Sequence, residues 1–304
     1  MAAGPVRTSL VVRVALGDDD GDLVFQQGAL RVLRQGRGLV VRCGDVARVV
    51  IDDDDTLDGV LLAEVVDDGR AAMVLLDAVA LVVARAILER RRGRFHVHGG
   101  LVVDDGDSRL GRGTLIAGPG GVGKTTTTLA LMAAGARLAG DDVAFIQVLH
   151  DVVQDVVHVV ALRRPLHVGA ATAAMFAGLL PAPRPNESSL MGKRVVDVAV
   201  EAGGAGAGAL SDADSSTQGV PVVRLVFPSI AAVATTTARR LSAAEVLPRL
   251  LEASAMVGWR HVAGAQAHLD ALGCLARVEA VAVVLGRDAL TRPAAITDAM
   301  KGDA

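Results

Sequence analysis

With 304 residues, 51% of them hydrophobic, the chain can bury a large core, and a prior of about 150 residues per domain predicts two domains or one elaborated domain. Thirty-four glycines against ten prolines fit a packed α/β protein and exclude a collagen-like or disordered chain. A net charge of -3, the absence of Tyr and the single Trp259 exclude the basic, aromatic-lined surface that general nucleic-acid binding needs.

Two cysteines, Cys43 and Cys274, are too few for a disulfide framework or a structural zinc site and read as reduced core residues. The N-terminal stretch has one Arg and a short apolar run before Asp18, Asp19 and Asp20, which makes a poor secretion signal, so a cytoplasmic location is expected. Val-rich segments between residues 8 and 66, punctuated by Gly and Asp, predict a small β-rich N-terminal region of short strands. The acidic runs 18–20 and 52–55 read as solvated turns between those strands. Residues 71–89 are apolar but hold Asp77 and Arg85, charges too costly at bilayer depth, so a buried helix is expected and no membrane partner. That helix runs to Arg90, Arg91 and Arg92, cations suited to a helix C-terminus, and Gly93 stops it. The predicted organisation is therefore residues 1–92 and residues 93–304, the second part α/β with alternating strands and helices.

Residues 113–117 form a short apolar strand, residues 118–125 read GPGGVGKT, and an apolar helix opens at Thr125. The pattern G-x-x-x-x-G-K-[ST] thus stands in the strand, loop and helix context that gives it meaning as a phosphate cradle. Its glycines let the main-chain N–H groups of the loop turn toward a polyphosphate, with Thr126 at the head of the helix. Lys124 reaches the β- and γ-phosphates and the Thr125 hydroxyl can hold Mg²⁺, so ATP and Mg²⁺ are the expected cofactors and Gly118, Pro119, Gly120, Gly121, Val122, Gly123, Lys124, Thr125 and Thr126 the expected binding residues.

Ala134 and Gly135 end the helix, residues 136–139 read as a strand, and Gly140, Asp141 and Asp142 precede the apolar run 143–149. A helix of about ten residues carries the chain roughly 15 Å from the cradle, and a strand of about five residues at ~3.3 Å each brings it back. Asp141 and Asp142 are therefore expected beside the phosphates, where one carboxylate can help hold the metal and the other accept the proton of an attacking hydroxyl. Thr125 and Asp141 are the candidate metal ligands; which aspartate is the base stays open.

His98 and Gly99, the cradle, Gly135 and the Asp141-Asp142 pair together resemble the kinase domain of the HPr kinase/phosphorylase family, whose fold is shared with ATP-dependent phosphoenolpyruvate carboxykinase. The chain is more closely similar to the HPr-kinase-like proteins of bacteria. The likeness covers about residues 94 to 200, with further matches at Arg164-Pro165 and Gly192-Lys193-Arg194. It implies a P-loop kinase core, transfer of the ATP γ-phosphoryl group to a hydroxyl with Mg²⁺, His98 in the active site beside Lys124, Asp141 and Asp142, and a homo-oligomeric state. Arg164, Lys193 and Arg194 are second candidates, as clamps on the transferring charge. The glycine-rich signature that HPr kinases carry downstream of the aspartates is absent, so the acceptor is expected to be another protein, a peptide or a small molecule. Residues 104–109 lengthen a hairpin and read as a solvated turn.

His96 is expected on the same strand face as His98. Residues 201–219 read as a surface loop, Ser242 and Glu245 as a capping box opening a helix to about Met256, followed by a helix to Leu275 and a last strand over residues 278–285. Signal-recognition-particle-type GTPases share the glycine loop, but their Asp-Thr-Ala-Gly-Arg and Thr-Lys-x-Asp strings do not occur here. Partitioning ATPases need a lysine where Pro119 stands. A non-catalytic nucleotide sensor is the rival from another class, opposed by the intact Lys124, Thr125, Asp141 and Asp142.

Overall fold

The computed structural model describes residues 8–13, 21–27, 30–36, 38–43, 47–51, 57–62, 93–104, 111–150, 155–161, 166–182, 189–190, 193–196, 219–254 and 265–302. The acidic runs 18–20 and 52–55, the helix expected over 71–92, residues 105–110, Arg164-Pro165, Gly192 and the loop 201–218 lie outside the described residues. The chain clusters into two compact units, Met1–Arg94 with Met256–Ala265, and Phe95–Ala255 with Gln266–Ala304.

In the first unit six strands form one sheet: β1 (Thr8–Arg13), β2 (Asp22–Gln27), β3 (Leu30–Gln35), β4 (Gly38–Cys43), β5 (Ala47–Ile51) and β6 (Leu57–Leu62), in the order β1-β6-β5-β4-β3-β2. β2 to β6 run as an antiparallel meander, and β1 closes the far edge parallel to β6. Val40, Val41, Val49 and Ile51 are buried, as Val- and Ile-rich strands of this kind require. β2 and β3, the latter holding Arg31 and Arg34, are less Val-rich than β4 and β5 but fall inside the β-rich region expected between residues 8 and 66.

The second unit begins with β7 (Phe95–Val97), β8 (Gly99–Asp104) and β9 (Arg112–Ala117), then α1 (Lys124–Ala133), β10 (Arg137–Gly140), β11 (Ala144–His150), β12 (Asp155–Ala161), β13 (Leu166–Val168) and α2 (Ala170–Met175). It continues through β14 (Ser189–Leu190), β15 (Lys193–Val196), β16 (Val220–Ile230), β17 (Thr237–Arg240), α3 (Ala243–Ala253), α4 (Ala265–Leu275), β18 (Glu279–Leu285), α5 (Asp288–Thr291) and α6 (Ala294–Gly302). The main sheet has the order β10-β8-β9-β16-β12-β11-β7, with β18 also beside β16 and β17 beyond β18. Its parallel contacts are β9 with β16 and β16 with β18; the rest is antiparallel.

Period-two alternation divides the core of this unit. Leu101, Leu115 and Leu225 point to one face, where Val246 and Leu250 of α3 and Leu272 and Leu275 of α4 cover them. Val102, Ile116 and Val226, each the next residue along, point to the other face, onto Leu129 and Met132 of α1 and Ile296 and Met300 of α6. Helices thus flank the sheet on both sides, and each fully buried Leu or Ile contributes on the order of 1.5–3 kcal/mol.

Strict alternation of strand and helix, as the sequence predicts, holds from β9 through β10 and again around β18, but four strands follow one another from Arg137 to Val168. The β11–β12 hairpin needs no helix because its strands run antiparallel, and the Asp141-Asp142 turn passes directly from β10 to β11. Among the described residues no helix is long and apolar enough to cross a membrane.

Candidate functional site

The loop of residues 118–123 leaves the end of β9 and enters α1 at Lys124. Gly123 is the N-cap, with φ of 101°, and no side chain caps the helix; its first turn holds no acidic residue. A helix N-terminus left this way presents orphan main-chain N–H groups and a positive field to an anion. Only glycine serves at this cap, because a Cβ there would sit 2.5 Å from Leu285 Cδ1 in a left-handed backbone. Lys124 is buried and folds back so that Nζ donates to the Pro119 carbonyl at 2.8 Å. Burial lowers its pKa, while Asp142 and Asp141 oppose the shift and Lys193 adds to it.

The acids reach the loop through two crossings between the arms of the sheet. β7 pairs with β11 in one arm and β8 with β10 in the other, so the chain changes arm between Val97 and Gly99, at His98. It changes arm again between Gly140 and Ala144, at Asp141 and Asp142. Because Ala144 faces Val97 and Gly140 faces Leu101, the two crossings lie side by side. His98 is tied down at both ends of its peptide: its N–H donates to Ala253 O at 2.8 Å and its carbonyl accepts from Gly118 N at 3.3 Å. Gly118 opens the phosphate loop, so the histidine and the loop are fastened main chain to main chain.

Consecutive aspartates face different partners. Asp141 Oδ2 accepts from the Thr125 hydroxyl at 3.1 Å, across 16 positions of sequence. Asp141 is buried, and its Oδ1 has no hydrogen-bond partner among the described residues. The space around it is close: a Cβ on Gly100 would meet Thr128 Oγ1 at 2.8 Å and Asp141 Oδ1 at 2.9 Å. Burial, then the neighbouring Asp142 charge, raise the Asp141 pKa against the Thr125 hydroxyl, the Asp142 amide and the Lys124 charge. Asp142 has φ of 70°, the one non-glycine residue with positive φ among those described, a conformation that Asp tolerates and that turns its side chain away from that of Asp141. Its Oδ1 lies 2.8 Å from His98 Nε2. That hydrogen bond, then the charges of His98, Lys124 and His167, hold the Asp142 carboxyl far below its ordinary range despite partial burial.

Among the described residues no three His, Cys, Asp or Glu side chains converge on a metal position. Asp141 and Thr125 still suit Mg²⁺, which takes oxygen donors and commonly binds through one or two carboxylates plus phosphate oxygens. The buried, unpartnered Asp141 Oδ1 and the adjacent hydroxyl fit that donor set.

The structure therefore brings together Lys124, Thr125, Asp141, Asp142 and His98 of the expected site. His96 stays apart: its ring lies 5.7 Å from that of Phe145, within β7, whereas His98 lies past the strand's end and turns to Asp142. The Arg194 guanidinium donates to the Pro181 carbonyl at 2.6 Å. Lys193 acts on the cradle through its charge on Lys124. His167, on β13 opposite Val195, was not readable as a site residue; it is the last and smallest of the influences that lower the Asp142 pKa. Thr126 Oγ1 meets Thr172 Oγ1 of α2 at 2.9 Å.

No family model matches the sequence, and no curated protein matches it. Among solved structures the chain is similar to the Hpr(Ser) kinase/phosphatase from Coxiella burnetii, at 14% identity and a TM-score of 0.28, covering 68% of this chain and 94% of that one. At that identity and TM-score the likeness says nothing of what this chain binds or transfers.

Proposed function

We propose that this chain is an ATP-dependent phosphotransferase of the HPr-kinase-like kind, passing the γ-phosphoryl group to a hydroxyl of a protein, a peptide or a small molecule. The observation that carries the proposal is the return of Asp141 to Thr125 at 3.1 Å while Asp142 engages His98 at 2.8 Å, both beside the buried Lys124. A glycine-rich turn without function has no need to bring one carboxylate back to the first turn of its helix and a second within electrostatic reach of its lysine.

In this reading the main-chain amides of residues 120–126 bind the phosphates and Lys124 leaves the Pro119 carbonyl for the β- and γ-oxygens. Asp141 and Thr125 hold Mg²⁺, which when bound neutralises charge on the transferring group. Asp142 accepts the acceptor's proton as its oxygen bonds to phosphorus and the bond to the β,γ-bridging oxygen breaks. With its pKa depressed, Asp142 is a weak base, which suits a loose transition state in which the proton leaves late. His98 orients that carboxylate through the 2.8 Å hydrogen bond.

Asp142→Ala should lower transfer about 10²–10⁴-fold, the usual contribution of a positioned base, and leave MgATP affinity nearly unchanged. Release of labelled phosphate to water gives a readout that needs no known acceptor, and labelling of candidate proteins and peptides gives the second. Wild-type protein that binds MgATP yet transfers to neither water nor any acceptor would reduce the chain to a nucleotide holder.

A further inference from the structure

A second feature borders the loop on the side away from the acids. Strands β9, β16 and β18 are parallel, so their C-terminal ends open on one edge, the edge where α/β sheets bind ligands. β9 ends in the phosphate loop, while β16 and β18 end in two turns fastened to each other. Ala231 N donates to Leu285 O at 3.3 Å, Arg287 N to Val233 O at 2.9 Å and Asp288 N to Ala234 O at 3.1 Å. Asp288 Oδ1 in turn accepts from the Thr236 amide and hydroxyl at 2.8 and 2.7 Å. On these rigid turns stand three large aliphatic side chains in the open: Ile230 at 65% exposure, Val233 at 42% and Leu290 at 58%. They make up three of the five exposed large hydrophobics among the described residues, and the main-chain bonds between the turns, with Leu290 N donating to Arg287 O at 3.1 Å, gather them at one end of the sheet.

Its position relative to the loop fixes the occupant. A Cβ on Gly123 would lie 3.5 Å from Ile230 Cγ1, so the patch begins at the N-cap of α1. Leu290 belongs to α5, which packs against α2, and α2 touches Thr126 through Thr172. The patch and Asp141-Asp142 flank the loop strand on opposite sides, since the sheet runs β10-β8-β9-β16 with β18 beyond. A nucleotide whose terminal phosphate meets the acids has its nucleoside end toward the patch.

We infer that Ile230, Val233 and Leu290 form the platform for the nucleobase of the nucleotide whose phosphates residues 118–126 hold. This rests on the proposed nucleotide reading of that loop. The base lies face-on against aliphatic side chains, gaining from apolar burial rather than from aromatic stacking, and the hydrogen-bonded turns present the surface already formed.

Calorimetric titration of Mg²⁺-ATP and of Mg²⁺-tripolyphosphate, which has the phosphates without the nucleoside, tests it. Ile230→Ser and Leu290→Ser, both exposed and so harmless to the core, should each weaken ATP about five- to tenfold, because less apolar surface is then covered by the base, and leave tripolyphosphate within about twofold. ATP affinity unchanged in both variants, or tripolyphosphate falling in step with ATP, overturns the platform. Wild-type protein that binds neither ligand overturns the nucleotide reading and the platform with it. Binding of both by the wild type with no separation in the variants leaves the loop intact and removes the platform alone.

Discussion

Asp141 bears a cost that the proposed metal role would explain. A carboxylate nearly out of contact with water, beside a second carboxylate and with one oxygen lacking a hydrogen bond, opposes folding whenever it is ionised. Its folded pKa is raised above the unfolded value of about 3.9. The stability it contributes is therefore fully present below that value and is lost as pH rises through the folded pKa. Asp141→Asn should accordingly be more stable than wild type near neutral pH, by about 1 kcal/mol, the size typical of relieving a functional-site conflict. Urea melts at a series of pH values would check this: the advantage should vanish toward pH 4 and grow above it, while phosphoryl transfer is lost throughout. A variant less stable than wild type at neutral pH would mean that the Thr125 hydroxyl and Lys124 already compensate the charge. At this scale the sequence was informative about the loop, whose residue types each answer a chemical need, and about the arrival of the acids, which a length argument on helix and strand predicts. It was silent on His167 and ambiguous on His98, because a lone histidine acquires its partner only through contacts distant along the chain.

Among the elements, α1 and α3 were legible for local reasons. The glycine loop and Lys124 announce the first, and the second opens on Ser242, whose amide donates to Glu245 Oε2 at 3.0 Å as the capping pattern predicts, the hydroxyl adding a bond to the same oxygen at 2.9 Å. α3 ends at Ala253, short of the expected Met256. α4 shows how a helix divides its faces: His268, Ala271, Leu272 and Leu275 are buried, and Leu269 is exposed. Leu272→Ala should cost about 2–5 kcal/mol, as deletion of a fully buried Leu does, whereas Leu269→Ala should stay within about 0.5 kcal/mol of wild type. Denaturant midpoints of the two variants measure the contrast directly. β15 spans Lys193–Val196 and opens on two basic residues, because Lys193 and Arg194 pair with Leu190 and Ser189. Strand ends follow partners, and partners are not written in the strand itself.

Across the whole chain, the two units carry separate sets of buried residues, the first around Val40, Val41 and Ile51 and the second around the faces of the main sheet. Differential scanning calorimetry is expected to resolve two transitions. Mg²⁺-ATP at about 100 times its dissociation constant should stabilise one of them by about 2.7 kcal/mol and leave the other in place. A single transition that shifts as one would show that the units unfold together. The branching of the main sheet at β16 is the part of the architecture that the sequence did not disclose. One strand of 11 residues pairs first with β12 and then with β18 along the same run, and no local pattern distinguishes the residues that serve each neighbour.

The side-by-side crossings have an evolutionary corollary. Because the metal-facing and proton-facing duties proposed for Asp141 and Asp142 fall to adjacent residues of one tight bend, a single inserted or deleted codon between Gly140 and Ala144 would rotate both acids off their partners at once. Descendants of such a gene should keep both duties or forfeit both, and length changes should be purged from that bend.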